Sequence, residues 1–424
     1  MTTPTGRSFL SYRRTCADDA RLLVEAQHDV GIPTWQDIRN LAEEPTEDAI
    51  RQVLHDPTTA NAILWLTPEV AGSNMIQKVE IPAILDRFEQ VSPSPGGRGG
   101  DGRGGRGVRF FVTPVLARGL DYPDVEKLLD PRFAAGLQRW NLRRIPSPHP
   151  ITPAEAAQVA AWVLERRLDA IHQSLPPDAP LRLSLYTREP APFQPGTHAL
   201  SLDWSHRFDG RETRPGAWHD HLLPALRTIA LKIRDKAAGR TLDVDGQPSL
   251  AACVALGCAF VAPRRTALAW RQIHLPSGSE QLWSLQTPPE NSGFTAHTRS
   301  LDLDAEDLAV LVSITHNVEP GFAASSPDLP RFRAQIHLTR SDGYPHRLAS
   351  SGEAVHLVDT ILRAIRAAQA TYRDTRCTHL FLAVPAGVAL MLGQLANALG
   401  PLQTYEHIPV DTVGRYRPAV RLTA

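Results

Sequence analysis

The chain is poor in cysteine: it has four, Cys16, Cys253, Cys258 and Cys377, and no two of them stand at CxxC spacing. That fits reduced, buried thiols better than disulfides or a cysteine zinc site. Long apolar runs are missing too. None approaches the roughly 18 residues of a spanning helix, and the opening "MTTPTGRSFLSYRR" has no apolar core of secretory type. The expected setting is therefore cytoplasmic, with no membrane partner. Neither sign of charge is in excess, because 45 Lys and Arg balance 45 Asp and Glu. No global field then favours DNA or an anionic bilayer. His219 and His221 in "WHDH" lack a third ligand at sensible spacing, so no metal is expected.

What is present is an ordinary globular composition, 42% hydrophobic and 21% charged, over 424 residues. A chain longer than roughly 100 to 200 residues predicts two or three domains. The N-terminal part alternates short strands and helical patterns: strand "SFLSY", helix "DDARLLVEAQHDV", strand "IPTWQD", helix "TEDAIRQVLHD", strand "AILWL", a helix around Glu80, and strand "VRFFVTPVL". βαβα order of this kind predicts a parallel sheet. Glu80 is an acidic residue where the flanking sequence reads as the inward face of a helix. It follows a buried strand, and strand carboxyl ends are where open α/β sheets bind ligands.

"SPSPGGRGGDGRGGRG", residues 92–107, contains a formal G-x-G-x-x-G. No strand feeds it and no helix leaves it, so it cannot aim helix-start amides at a pyrophosphate. It reads as a disordered surface insertion, with an Arg-Gly RNA-binding tract as the alternative. Proline density near "RRIPSPHPITPAE" marks a boundary, giving expected domains 1–145 and 146–424.

The C-terminal part carries an internal repeat. "SLAACVALGCAF" leading into "TALAWRQ" matches "PAGVALMLGQLANALG" leading into "PLQTYEH", each an Ala-rich apolar helix with a glycine before a strand. Strands "LRLSLYT", "HALSLDW", "LAVLVSIT" and "HLFLAVP" have the apolar runs of buried parallel strands. Two similar α/β lobes follow, with a ligand expected at their pseudo-twofold junction over the strand carboxyl ends; two packed lobes without a ligand are the alternative.

These residues carry a resemblance. "FLSYRRTCADDARLLVEAQHDVGIPTWQD" with "AILWLTPEVAGSNMIQKVEIPAIL" resembles a bacterial Toll/interleukin receptor (TIR) domain. The C-terminal part, through "HLFLAVPAGVALMLGQLANALGPLQTYEH" and "YRPAVRL", is similar to SAVED domains, cyclic-oligonucleotide sensors built from two CARF-like halves. In that order the two resemble the TIR-SAVED effectors of bacterial cyclic-oligonucleotide antiphage systems (CBASS). The resemblance implies a flavodoxin-like parallel-sheet domain followed by a two-lobed sensor. It implies NAD+ as substrate, a cyclic tri- or tetra-adenylate as activating ligand, no cofactor, and ligand-driven self-association into a filament or oligomer.

Glu80 matches the family's catalytic glutamate. A carboxylate beside the ribose would stabilise the positive charge that builds as the glycosidic bond to nicotinamide breaks. The sequence departs from the family at Ile76, where many relatives carry Trp, and at Pro82. The alternatives for Glu80 are a helix-start carboxylate favoured by the macrodipole, with Glu69 as the second catalytic candidate. Trp35 is a candidate to stack on a ring of the dinucleotide, Tyr12 and Arg13 to line its ribose or phosphate, and Ser73 to hydrogen-bond the ribose or cap a helix. In the sensor part the candidates are Thr187 and Arg188, Thr315 and His316, and the helix start at Pro385, Ala386 and Gly387, where amides serve phosphodiesters. A TIR domain acting only as a scaffold for other TIR domains stays open.

Overall fold

The computed structural model describes residues 4–36, 47–91, 110–129, 141–261, 266–274, 278–409 and 413–423. The tract at 92–107 and the polar loop after Trp35 lie outside them. The chain forms two compact units. The first comprises Met1–Ala179, Pro192–Asp203 and Leu231–Ala238, and the second Pro180–Ala191, Trp204–Ala230 and Gly239–Ala424.

In the first unit β1 (Arg7–Ser11), β2 (Thr34–Trp35), β3 (Thr59–Leu66), β4 (Phe111–Leu116) and β5 (Arg143–Arg144) form a sheet in the order β2-β1-β3-β4-β5. Every pairing in it is parallel, which is the flavodoxin-like arrangement. All eight residues of β3 are buried, as a central strand covered on both faces requires. One face packs α2 (Glu47–His55) and α3 (Ile81–Val91) over Phe9, Trp35, Leu64 and Val112. On the other, α1 (Ala17–Asp29) buries Leu23 and Val24, and α5 (Pro153–Ser174) buries Val159, Val163 and Leu164. The short helix α4 (Tyr122–Leu128) follows β4.

The compact units do not divide at 145/146. Helix α5, which the sequence reading assigned to the sensor part, belongs to the first unit, and the reason is polar as well as apolar. Arg167 is fully buried and donates to the carbonyls of Gly6 and Ala199, at 2.6 and 2.9 Å, while Arg166 donates to the carbonyl of Val112. Burial pushes Arg167 down to about 9; the two carbonyl acceptors offset part of that desolvation.

The second unit holds β6 (Leu181–Tyr186), the hairpin β8 (Phe208–Asp209) and β9 (Glu212–Thr213), and helix α6 (Leu223–Lys236), of which the last turns count with the first unit, as does the strand β7 (Leu200–Asp203). Then come β10 (Leu242–Gln247), α7 (Leu250–Ala259), β11 (Leu268–His274) and β12 (Ser279–Trp283). Its strands in this sheet run β12-β11-β10-β6. A second sheet contains β13 (Phe294–Ser300), β14 (Asp307–Ser313), β15 (Phe332–Arg340), β16 (Cys377–Ala383), β17 (Leu402–Ile408) and β18 (Arg415–Leu422), in the order β13-β15-β14-β16-β17-β18. Helices α8 (Glu319–Ser325), α9 (Ser351–Thr371) and α10 (Ala386–Gln394) complete it.

The repeat seen in the sequence is a repeat of structure. In each lobe a strand, an apolar helix and a parallel strand are followed by an antiparallel edge strand: β10-α7-β11-β12 in one, β16-α10-β17-β18 in the other. Helices α7 and α10 cross with their backbones in contact. A Cβ at Gly257 would stand 2.2 Å from the carbonyl oxygen of Leu390, and one at Gly393 would stand 2.2 Å from that of Val254. In the aligned repeat Gly257 corresponds to Gly393 and Val254 to Leu390, so the two contacts are one contact seen twice across a pseudo-twofold axis.

Gly393→Ala would force the helices apart. The expected cost is about 3 kcal/mol, read as a lowered midpoint in thermal unfolding, with Gly257→Ala matching it. Gly400→Ala is not an equivalent control, since φ there is +72°; Gly72→Ala, with open space around the added methyl, should cost much less.

Candidate functional site

In the first unit Glu80 ends a single π turn, Ile76–Glu80, that leads into α3. The amide of Ile81 bonds back to the carbonyl of Ile76, and Pro82, having no N–H, makes no α-type bond to the carbonyl of Lys78. The regular helix starts at Ile81, with Pro82 in its first turn. Glu80 is 8% exposed and lies on the segment that follows β3.

The other nucleotide candidates are placed as follows. Trp35 is buried, and its ring stacks on Phe9 at 5.1 Å with the planes 13° apart. Tyr12 is buried, its hydroxyl accepting from the Gln36 amide at 3.0 Å. Ser73 accepts from the amide of Ile76 at 3.3 Å, which is the capping role. Arg13 is half-buried just after β1. Glu69 is tied up: it accepts from Arg118 at 3.3 Å, and Arg118 also donates to Asp19 at 3.0 Å. Burial works to raise Glu69, yet the Thr67 hydroxyl, its own amide and Arg118 hold it below the usual carboxylate range. Asp19, 1% exposed, also accepts from the Trp65 indole and the amide of Ile151. Sequence reasoning missed this network at the ends of β3 and β4; in the structure Arg118 is a non-glycine residue at φ 53°, and its guanidinium is held by the Asp19 and Glu69 carboxylates.

The second unit gathers charge at strand carboxyl ends. Thr187, fully buried at the end of β6, accepts from the amide of Ser249 at 2.8 Å; Ser249 in turn caps α7 by accepting from the amide of Ala252. Over that capped start lies Glu406 of β17, 5% exposed. Ser249, the charge of Arg188, the amide of Ala251 and the charge of Arg211 all act to lower its carboxyl. Burial outweighs these and pushes its carboxyl up to about 7. Its Oε1 is buried without a hydrogen-bond partner. Arg211 sits at the tip of the β8-β9 hairpin and donates to the carbonyl of His407. His407 packs against His316 at 5.6 Å and Tyr416 at 5.2 Å. Burial, then the charges of His407 and Arg211, lowers His316, while burial and then the Arg211 charge lower Arg188.

Arg188 and His316 of the predicted set are therefore brought into one cluster, and Thr187 orients the helix start beneath it. Thr315 shares a hydrogen bond with His316 at 3.3 Å. Pro385, Ala386 and Gly387 open α10, but there the neighbours are indoles: a Cβ at Gly387 would lie 3.0 Å from both Trp270 and Trp283. Arg211, Glu406 and His407 were missed. The Asp-Gly turn before Arg211 and the charged "EH" closing the second copy of the repeat were the available signals.

Two arginines and two histidines thus gather near the ends of parallel strands, a set whose charge suits an anion. Residues 225–422 match the family described as SMODS-associated and fused to various effectors sensor domain, SAVED. That stretch runs from within α6 to the end of β18. Among solved structures the chain is similar to the Acinetobacter baumannii Cap4 SAVED/CARF-domain receptor with the cyclic trinucleotide 3'3'3'-cAAA, at 14% identity and TM-score 0.49 over 80% of this chain and 84% of that one. It is also similar to the Moraxella osloensis Cap4 receptor, at 14% identity and TM-score 0.43 over 99% and 87%. No curated protein matches the chain. Among the described residues no helix is long and apolar enough to cross a membrane.

Glu406 gives a pH prediction. Its folded-state value lies above the ordinary 4.5, so its proton stabilises the fold fully below about pH 4.5 and that contribution is lost as pH rises through 7, about 3 kcal/mol in all. Glu406→Gln should raise the melting temperature by several degrees at pH 8.5 and not at pH 4.5. An equal shift at both pH values would refute the assignment.

Proposed function

We propose that the chain is a two-part antiphage effector: a C-terminal sensor that binds a cyclic oligonucleotide, and an N-terminal TIR-type domain that then cleaves NAD+. The sensor half is supported most directly by the cluster of Arg188, Arg211, His316 and His407, of which the two histidines fall inside the segment, residues 225–422, that matches the SAVED sensor family. Cyclic oligonucleotides are rings of phosphodiesters, and guanidinium groups suit them. A cyclic triadenylate is the natural first probe.

The effector half rests on the order β2-β1-β3-β4-β5 together with Glu80, a carboxylate sheltered just beyond the end of β3. Nicotinamide is a good leaving group once the ribose carries positive charge, so one fixed carboxylate suffices to stabilise that charge. Assembly of protomers on ligand binding would complete the site.

One observation favours a second reading, in which the first unit is a scaffold that recruits other TIR domains. Tyr12, Trp35 and Ser73 are all buried and already engaged in packing, hydrogen bonding or capping. Incubation of the purified protein with NAD+ and a panel of cyclic di-, tri- and tetranucleotides separates the two. Glu80→Gln keeps the shape and removes the charge; nicotinamide release should fall by about a thousandfold with ligand affinity unchanged. Wild-type protein that binds a cyclic ligand and releases no nicotinamide favours the scaffold. Light scattering on the same samples should report large particles only with ligand present.

A further inference from the structure

The start of α7 is not an open anion site, because the chain has put its own anion there. Glu406, 5% exposed, lies close enough to the amide of Ala251 and to Ser249 for both to lower its carboxyl, and these are groups a phosphate would otherwise use. Yet it leaves Oε1 without a partner and sits within the field of both arginines. The elements packed around it bring Arg188 from the end of β6, Arg211 from the β8-β9 hairpin, and its neighbour His407, with His316 beyond. Two guanidinium charges and one carboxylate leave a net single positive charge when Glu406 is ionised.

We propose that Glu406 is a specificity-determining residue that keeps the Arg188/Arg211 site selective for phosphodiesters over phosphomonoesters and polyphosphates. The proposal rests on reading this unit as a nucleotide sensor. A diester carries one negative charge per phosphorus and matches the single residual positive charge. A terminal phosphate at pH 8 carries two, since its second ionisation lies near 6, and ATP is denser still. The buried carboxylate repels the extra charge more than it repels a diester, and with little water between them this repulsion is weakly screened. Such a carboxylate would prevent abundant linear nucleotides from occupying a sensor built for scarce rings.

The experiment is calorimetric titration at pH 8 of cyclic triadenylate, linear 5'-phosphorylated triadenylate and ATP into the full-length protein. Wild type should bind the ring and bind the other two much more weakly. Glu406→Gln should strengthen linear triadenylate and ATP by at least about tenfold more than it strengthens the ring. Arg211→Gln, at an accessible hairpin tip, should move the ratio the opposite way, and the double variant should restore discrimination by restoring the charge balance. A ring-to-linear ratio unchanged in both single variants, with the proteins folded by circular dichroism, overturns the role of Glu406. Wild type that binds no cyclic compound at all overturns the sensor reading itself, and this is seen before any variant enters.

Discussion

The close crossing of α7 and α10 is the constraint on which the second unit depends. Two helices can meet backbone to backbone only where neither carries a side chain at the contact, and Gly257 and Gly393 meet that demand reciprocally. The crossing costs the conformational freedom of two glycines in helix interiors, about 1 kcal/mol each. It is offset by burial of nearly every side chain on both helices. Because each helix follows the middle strand of its own sheet, locking the helices together fixes the two lobes as one pseudo-symmetric pair.

From that symmetry comes an asymmetric site. The start of α7 meets β17 of the other lobe and its Glu406, with arginine charge nearby; the start of α10 meets Trp270 and Trp283 of β11 and β12. One geometric plan thus carries two chemistries, charged at one helix start and aromatic at the other. The charged side is a balance between desolvation and attraction. Burial raises the Glu406 carboxyl, and the amide, hydroxyl and guanidinium partners pull it back only in part.

Much of this was legible in the sequence. Apolar runs such as "AILWL" and "HLFLAV" announced central parallel strands, and the paired "VALG" and "LMLG" segments announced the equivalent helices, because periodicity and small residues are local properties. What was not legible is set by long-range contact. Helix α5 looked like the opening of the sensor because a proline-rich stretch precedes it, while its place in the first unit is decided by Arg167 reaching Gly6 and Ala199, far away in sequence. Trp35 read as a ligand-stacking residue because it ends a strand. In the fold its ring stacks on Phe9 from the neighbouring strand, a contact between residues distant in sequence. Glu406 and Arg211 were overlooked since a charged residue closing a strand or a hairpin turn is ordinary on its own, and only the tertiary fold brings the two to one helix start.

The central claim is that one ligand engages both lobes across the glycine crossing. Amide hydrogen exchange, with and without a saturating cyclic triadenylate, tests it most directly. The account predicts that protection rises together in the segment around Ser249 to Ala252 and in the segment around Pro385 to Val388. Protection confined to one of these segments, or to neither while the ligand is bound, would contradict it.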